Sequence, residues 1–90
     1  MLYLYGVNFM NEYRYKTSGT CSKEIILQIE DGIIKEVKFI GGCPGNTQGV
    51  ATLCKNRPVN EVIALLEGIK CGPRPTSCPD QLSKALKETL

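Results

Sequence analysis

Asp31-Gly32 lies between two runs suited to extended backbone, Glu24–Glu30 (EIILQIE) and Ile33–Ile40 (IIKEVKFI), and no other feature constrains the chain as strongly. Both central residues of a type I′ turn need positive φ, which Asp-Gly tolerates, and the twist of that turn matches the strands it joins. The flanking runs are rich in β-branched residues, which suit a pleated, half-buried surface. They are therefore expected to fold back as an antiparallel hairpin, with Val37 and Phe39 on one face. Upstream, Tyr13 and Tyr15 alternate with Arg14 and Lys16, the period of two of a half-buried strand. Thr17–Thr20, with Gly19, reads as the turn between this strand and the hairpin.

Helices are expected to follow. Gly41-Gly42-Cys43-Pro44-Gly45-Asn46 ends the third strand. Thr47–Cys54 can form a short helix that buries Val50, Leu53 and Cys54. Pro58 suits the first turn of the next helix. Val59, Val62, Ile63 and Leu66 are its apolar stripe, and Gly68 is placed to end it. Residues 70–76 (KCGPRPT) exclude regular structure, because Pro73 and Pro75 restrict their neighbours and lack donors. The last helix starts at Ser77-Cys78-Pro79-Asp80 and buries Leu82, Ala85 and Leu86, with Lys84 and Lys87 late in it, where they oppose the helix dipole. Strands first and helices afterwards predict an α+β fold: a three-stranded antiparallel sheet with about three helices on one face. Ninety residues predict one domain. A core this small commonly leans on a metal, a disulfide or a partner subunit.

Composition narrows the function. Eleven basic and nine acidic residues leave a net charge of +2, too balanced for a protein that binds nucleic acid by neutralising phosphates. No run approaches the roughly 18 apolar residues of a membrane span. Histidine is absent, so the chain has no imidazole base and no mixed Cys/His zinc site. Met1–Phe9 (MLYLYGVNF) lacks the basic region and small-residue exit of a secretory signal. This segment reads as an apolar tail, an edge strand, or an N-terminal extension ahead of a domain spanning residues 10–90. A cytoplasmic location is expected, where thiols stay reduced, and an odd cysteine count argues against a closed disulfide framework.

What remains is sulfur: five cysteines in ninety residues. Cys21 precedes the second strand, Cys43 follows the third, and Cys71 and Cys78 border the final loop. In a hairpin, the residue before one strand meets the residue after its partner at the open end. If the final loop folds over that end, four sulfurs converge as for a tetrahedral zinc site or an iron–sulfur cluster. The spacings of 22, 28 and 7 residues contain no C-x-x-C knuckle, so a reading as small buried hydrophobes stays open. Cys54 falls on the apolar face of its helix and reads as core. Cys43-Pro44 and Cys78-Pro79 set two thiols at helix N-termini, where unpaired N–H groups and the dipole favour thiolate, the form that binds metal. Lys70 and Arg74 flank Cys71 and act the same way, whereas Asp80 opposes a second anion or serves as a cap.

Gly41, Gly42, Gly45 and Asn46 form a second candidate. A glycine-rich turn that opens a helix lets backbone donors approach a phosphate, as in a nucleotide or flavin. The plainer reading is a tight turn that needs glycine for positive φ. No residue is assigned a catalytic role.

The run Thr76-Ser77-Cys78-Pro79-Asp80 spells TSCPD. With Lys70-Cys71-Gly72 before it, and with Thr17-x-Gly19-x-Cys21, Glu30-Asp31-Gly32 and Gly41-Gly42-Cys43-x-Gly45-Asn46 upstream, the chain from about Tyr13 to Leu86 resembles the TSCPD-domain family. That family comprises small stand-alone proteins and a domain attached to ribonucleotide reductases. The resemblance implies four recurring cysteines, suspected metal ligands, at Cys21, Cys43, Cys71 and Cys78, with Cys54 outside the set and the domain starting near Met10. It also implies a role accessory to ribonucleotide reductase or another redox enzyme, since full nucleotide reduction resembles chemistry housed in a large barrel. More distantly, the layout is similar to U-type iron–sulfur scaffold proteins, with Cys21, Cys43 and Cys78 in their cysteine places. Here Ser22-Lys23 replaces the scaffold's aspartate and Ser77 its histidine, while Cys71 could supply the missing fourth ligand. Two rivals stand beside the metal reading. One is a redox, nucleotide- or flavin-binding protein whose thiols cycle to disulfide. The other is a homodimeric module that uses Tyr3, Tyr5, Tyr13 and Tyr15.

Overall fold

Asp31 and Gly32 both hold positive φ, 55° and 74°, and close the hairpin on which the other elements are built. The computed structural model describes residues 11–90; the readings of Met1–Phe9, Tyr3 and Tyr5 included, lie outside the described residues. Strands β1 (Asn11–Lys16), β2 (Ser22–Glu30) and β3 (Ile33–Gly41) form an antiparallel sheet in the order β1-β2-β3. Helices α1 (Pro44–Cys54), α2 (Val59–Leu66) and α3 (Cys78–Lys87) follow. This is the α+β fold expected.

Across the sheet, Tyr15, Ile25 and Phe39 stand in one row and Tyr13, Leu27 and Val37 in the next. That face builds the core with Val59 and Val62 of α2 and Leu82 and Leu86 of α3. Tyr13 and Tyr15 are half-buried against it.

Two bulges depart from simple alternation. Gln28 pairs with Glu36 and Ile29 with Ile34, which leaves Lys35 as an extra residue. Ile34 and Val37, three apart, therefore both point inward. Nearer the open end, Ser22 pairs with Gly41 and Glu24 with Ile40, so Lys23 is extra and Ser22 turns onto the buried face beside Ile25. A bulge re-aims side chains in this way.

Three expectations for the helices need correction. Helix α1 begins at Pro44 rather than Thr47. Leu53 is 68% exposed, because α1 turns Thr47, Val50, Ala51 and Cys54 to the sheet and Leu53 lies about 100° around the helix from Cys54. Pro58 is the N-cap of α2, not a residue of its first turn.

The start of α3 also differs in detail. Ser77, not Cys78, is the N-cap; its hydroxyl accepts from the Asp80 N–H at 3.1 Å and donates to the Ile69 carbonyl at 2.6 Å. Cys78 is then the first helical residue. Asp80 does not cap. One oxygen accepts from the Gly68 N–H at 2.8 Å and the other from the Thr76 hydroxyl at 2.5 Å. Thr76 in turn accepts from Gln81 Nε2 at 3.0 Å, and Gln81 Oε1 accepts from the Ser18 N–H at 3.1 Å. Thr76, Ser77, Asp80 and Gln81 are all buried. One hydrogen-bonded network thus ties the end of α2, the irregular loop before α3, and the β1–β2 turn. Gly19 of that turn has φ +76°, and a Cβ there would lie 2.9 Å from Thr76 Cγ2.

Burial alone would raise the Asp80 carboxyl, but the Thr76 hydroxyl, the Gly68 N–H and the Lys84 ammonium outweigh it and hold the group below its ordinary value. A depressed folded-state value means that the stabilisation is fully present above the unfolded carboxyl value, about 3.9. It drains away as pH falls through the folded-state value. Asp80→Asn is expected to lose roughly 1–3 kcal/mol at neutral pH. Its deficit relative to wild type should shrink in thermal unfolding below about pH 4; a deficit independent of pH would mean that the carboxylate charge is not what the network uses. Gly19→Ala should lose about 1–3 kcal/mol from positive-φ strain, measured by the same unfolding experiment.

Candidate metal centre

Because Ser22 pairs with Gly41, the segments carrying Cys21 and Cys43 meet at the open end of the hairpin. The chain turns there from β3 into α1 through Gly42, at φ +87°. A Cβ on Gly42 would approach Ser22 Cβ to 3.2 Å and Thr47 Cγ2 to 3.3 Å, so glycine lets the turn sit tightly against Ser22. Cys43 becomes the N-cap of α1, with its carbonyl accepting from the Thr47 N–H at 2.9 Å.

The loop after α2 closes over this end. Its prolines rule out a ladder, and its shape comes from the Asp80 network and two backbone bonds, Cys71 N–H to the Thr76 carbonyl at 3.3 Å and Arg74 N–H to the Cys71 carbonyl at 3.0 Å. Cys21, Cys43, Cys71 and Cys78 consequently line a single cleft of about 100 Å³, whose wall is completed by Thr20, Asn46, Arg74, Thr76, Ser77 and Pro79. The lining contains no carboxylate.

The four thiols are not equivalent. Cys21, Cys43 and Cys71 are exposed, whereas Cys78 is buried and its Sγ donates to Ser22 Oγ at 3.3 Å. Ser22 Oγ shares a further hydrogen bond of 2.9 Å with Thr20 Oγ1. Among the described residues, no three cysteine or carboxylate groups stand close enough to clasp a metal ion as they are. The cleft gathers the thiols along its wall without drawing the sulfurs to one point.

Cys54 is buried in the core and does not line the cleft. Burial pushes its thiol up and Arg57 pulls it down, with burial the stronger.

The glycine-rich turn is divided between cavities. Gly41 and Gly42 line an open groove of about 610 Å³ between β3 and α1, together with Phe39, Lys38 and Lys55. Asn46 lines the cysteine cleft instead, and Gly45 lines neither. These four residues do not face a common cavity.

Sequence reasoning missed Thr20 as part of the site, placed Asn46 in the glycine-rich candidate and not beside the cysteines, and noticed Ser22 only as a departure from the scaffold pattern. What aims Ser22 at Cys78 is the bulge at Lys23, and a bulge of this kind has no residue signature. Arg74 was visible as a neighbour of Cys71 and does reach the cleft, while Lys70 is not among its lining residues.

Among the described residues, no helix is long and apolar enough to cross a membrane. Neither the curated proteins nor the solved structures include a match to the chain. The TSCPD domain family model matches residues 10–90, essentially the whole chain, and its name is spelled by the residues that cap α3, set one thiol and build the buried network: the protein belongs to the TSCPD domain family.

Proposed function

We propose that this protein is a cysteine-ligated metal-binding module in which Cys21, Cys43, Cys71 and Cys78 hold one zinc ion or an iron–sulfur centre. The observation that carries this reading is that four thiols from widely separated segments line one small cleft, while the fifth is withdrawn into the core. The donor set is all sulfur, with no carboxylate in the wall, which suits soft thiolate-preferring metals and not magnesium or calcium. Cys78 is the fixed member. The three exposed cysteines have a single side-chain torsion each, and rotation between staggered wells is the motion through which they would close on an ion.

Physical economy favours the same reading. A bound ion would join the turn before β2, the turn after β3, the final loop and α3, the kind of staple small domains use in place of a larger core. Four thiolates around a divalent ion carry excess negative charge. The N-termini of α1 and α3 and the Arg74 side chain at the cleft all oppose it. The module acts in the cytoplasm, where its thiols stay reduced, as an accessory to ribonucleotide reductase or another redox enzyme. The nucleotide or flavin alternative through Gly41, Gly42, Gly45 and Asn46 has less in its favour, since these residues are split between two cavities.

Protein purified anaerobically should carry close to one zinc per chain without colour, or iron and sulfide with a brown absorption band, by elemental analysis and visible spectroscopy. Serine at any one of Cys21, Cys43, Cys71 or Cys78 should abolish stoichiometric metal, whereas Cys54→Ser should keep it and lose only stability. Metal-free wild type, or retention of metal by all four ligand variants, overturns the assignment. Stripping the metal with a chelator should lower Tm by more than about 8 °C, beyond what 1 kcal/mol produces in a domain this size; an unchanged Tm contradicts a stapling role.

A further inference from the structure

We propose that Ser22 is a positioning residue for Cys78: once that sulfur has lost its proton to solvent on binding a metal, the Ser22 hydroxyl turns and donates to it, with the Thr20 hydroxyl donating to Ser22 from behind. The inference rests on the metal-binding reading and adds two residues to it. With the thiol protonated, Cys78 Sγ donates to Ser22 Oγ at 3.3 Å, so the proton of Ser22 is free for Thr20 Oγ1 at 2.9 Å. A ligating sulfur has no proton to give, and the same two contacts are then satisfied by reversing both hydroxyls, with Thr20 giving up its longer 3.4 Å bond to the Ser22 carbonyl. Each hydroxyl keeps its own proton; only its direction changes.

The structure holds Ser22 in place for this. The bulge at Lys23 turns it inward, Gly42 leaves room for its Cβ, and its carbonyl accepts from the Thr17 hydroxyl at 2.5 Å. Ser22 and Cys78 are 4% and 6% exposed, so water has little access to replace the missing donor. Cys78 is fixed from its own side by the Ser77 cap. The pair is thus a preorganised corner against which the three exposed thiols would close. A hydrogen bond to a ligating sulfur lowers its charge density, which eases repulsion among four thiolates, and losing such a partner typically weakens metal binding by about 10–100-fold.

Cobalt(II) titration of the reduced full chain, with a competing chelator, tests the proposal on wild type, Ser22→Ala and Thr20→Val. Alanine keeps the Cβ that packs on Gly42 and removes only the hydroxyl. Ser22→Ala is expected to bind about 10–100-fold more weakly and to move the sulfur-to-cobalt charge-transfer band to lower energy. Thr20→Val should shift both in the same direction by less. If Ser22→Ala keeps wild-type affinity and an unshifted band, this inference falls and the metal reading stands. If wild type takes up no cobalt(II), both fall. If the alanine variant does not fold, Thr20→Val decides, and wild-type affinity with an unshifted band overturns the proposal.

Discussion

The Asp80 carboxylate lies almost out of contact with water, and what it touches sets the shape of the working end of the molecule. A buried charge is tolerated only when it is paired and hydrogen-bonded. Asp80 meets that condition with the Gly68 N–H, the Thr76 hydroxyl and the Lys84 ammonium. Each partner comes from a different place: the end of α2, the irregular loop and the next turn of α3. Buried ionic networks are weak sources of net stability, and in several systems they act by fixing one conformation over others. Here the loop between α2 and α3 has two prolines and no regular structure of its own, so its conformation is set largely by these contacts. Gln81 extends the network to Ser18 and so couples α3 to the turn that precedes Cys21.

Four cysteines far apart in sequence thereby come to one cleft through two independent devices. Strand pairing brings Cys21 and Cys43 together, because Ser22 and Gly41 are partners in the register. The polar network brings Cys71 and Cys78 over them. The letters of the family signature divide the labour: threonine, serine and aspartate shape the backbone, proline takes the second position of the helix, and the cysteine alone presents a reactive atom to the cleft.

Much of the fold is legible in the sequence, because its signals are local. Asp31-Gly32 and the flanking β-branched runs contain their own geometry, and the meeting of Cys21 with Cys43 follows from any hairpin drawn between them. Cys54 reads as core for an equally local reason, its place on the sheet-facing side of α1. The bulges at Lys23 and Lys35 are not legible, since an extra residue in a strand looks like any other, and the inward turn of Ser22 goes with the first of them. The role of Asp80 is hidden for a different reason. Its position in the first helical turn resembles a cap, and only the fold places Gly68, twelve residues earlier, against its side chain. Leu53 shows the limit of an apolar periodicity: one position off the buried stripe turns a large side chain to solvent.

The claim that these sulfurs surround one centre is tested most directly by X-ray absorption at the zinc edge of stoichiometrically loaded protein. Four sulfur neighbours near the thiolate distance of about 2.3 Å is the expected shell. A shell dominated by oxygen or nitrogen, or one with fewer than three sulfurs, would contradict it.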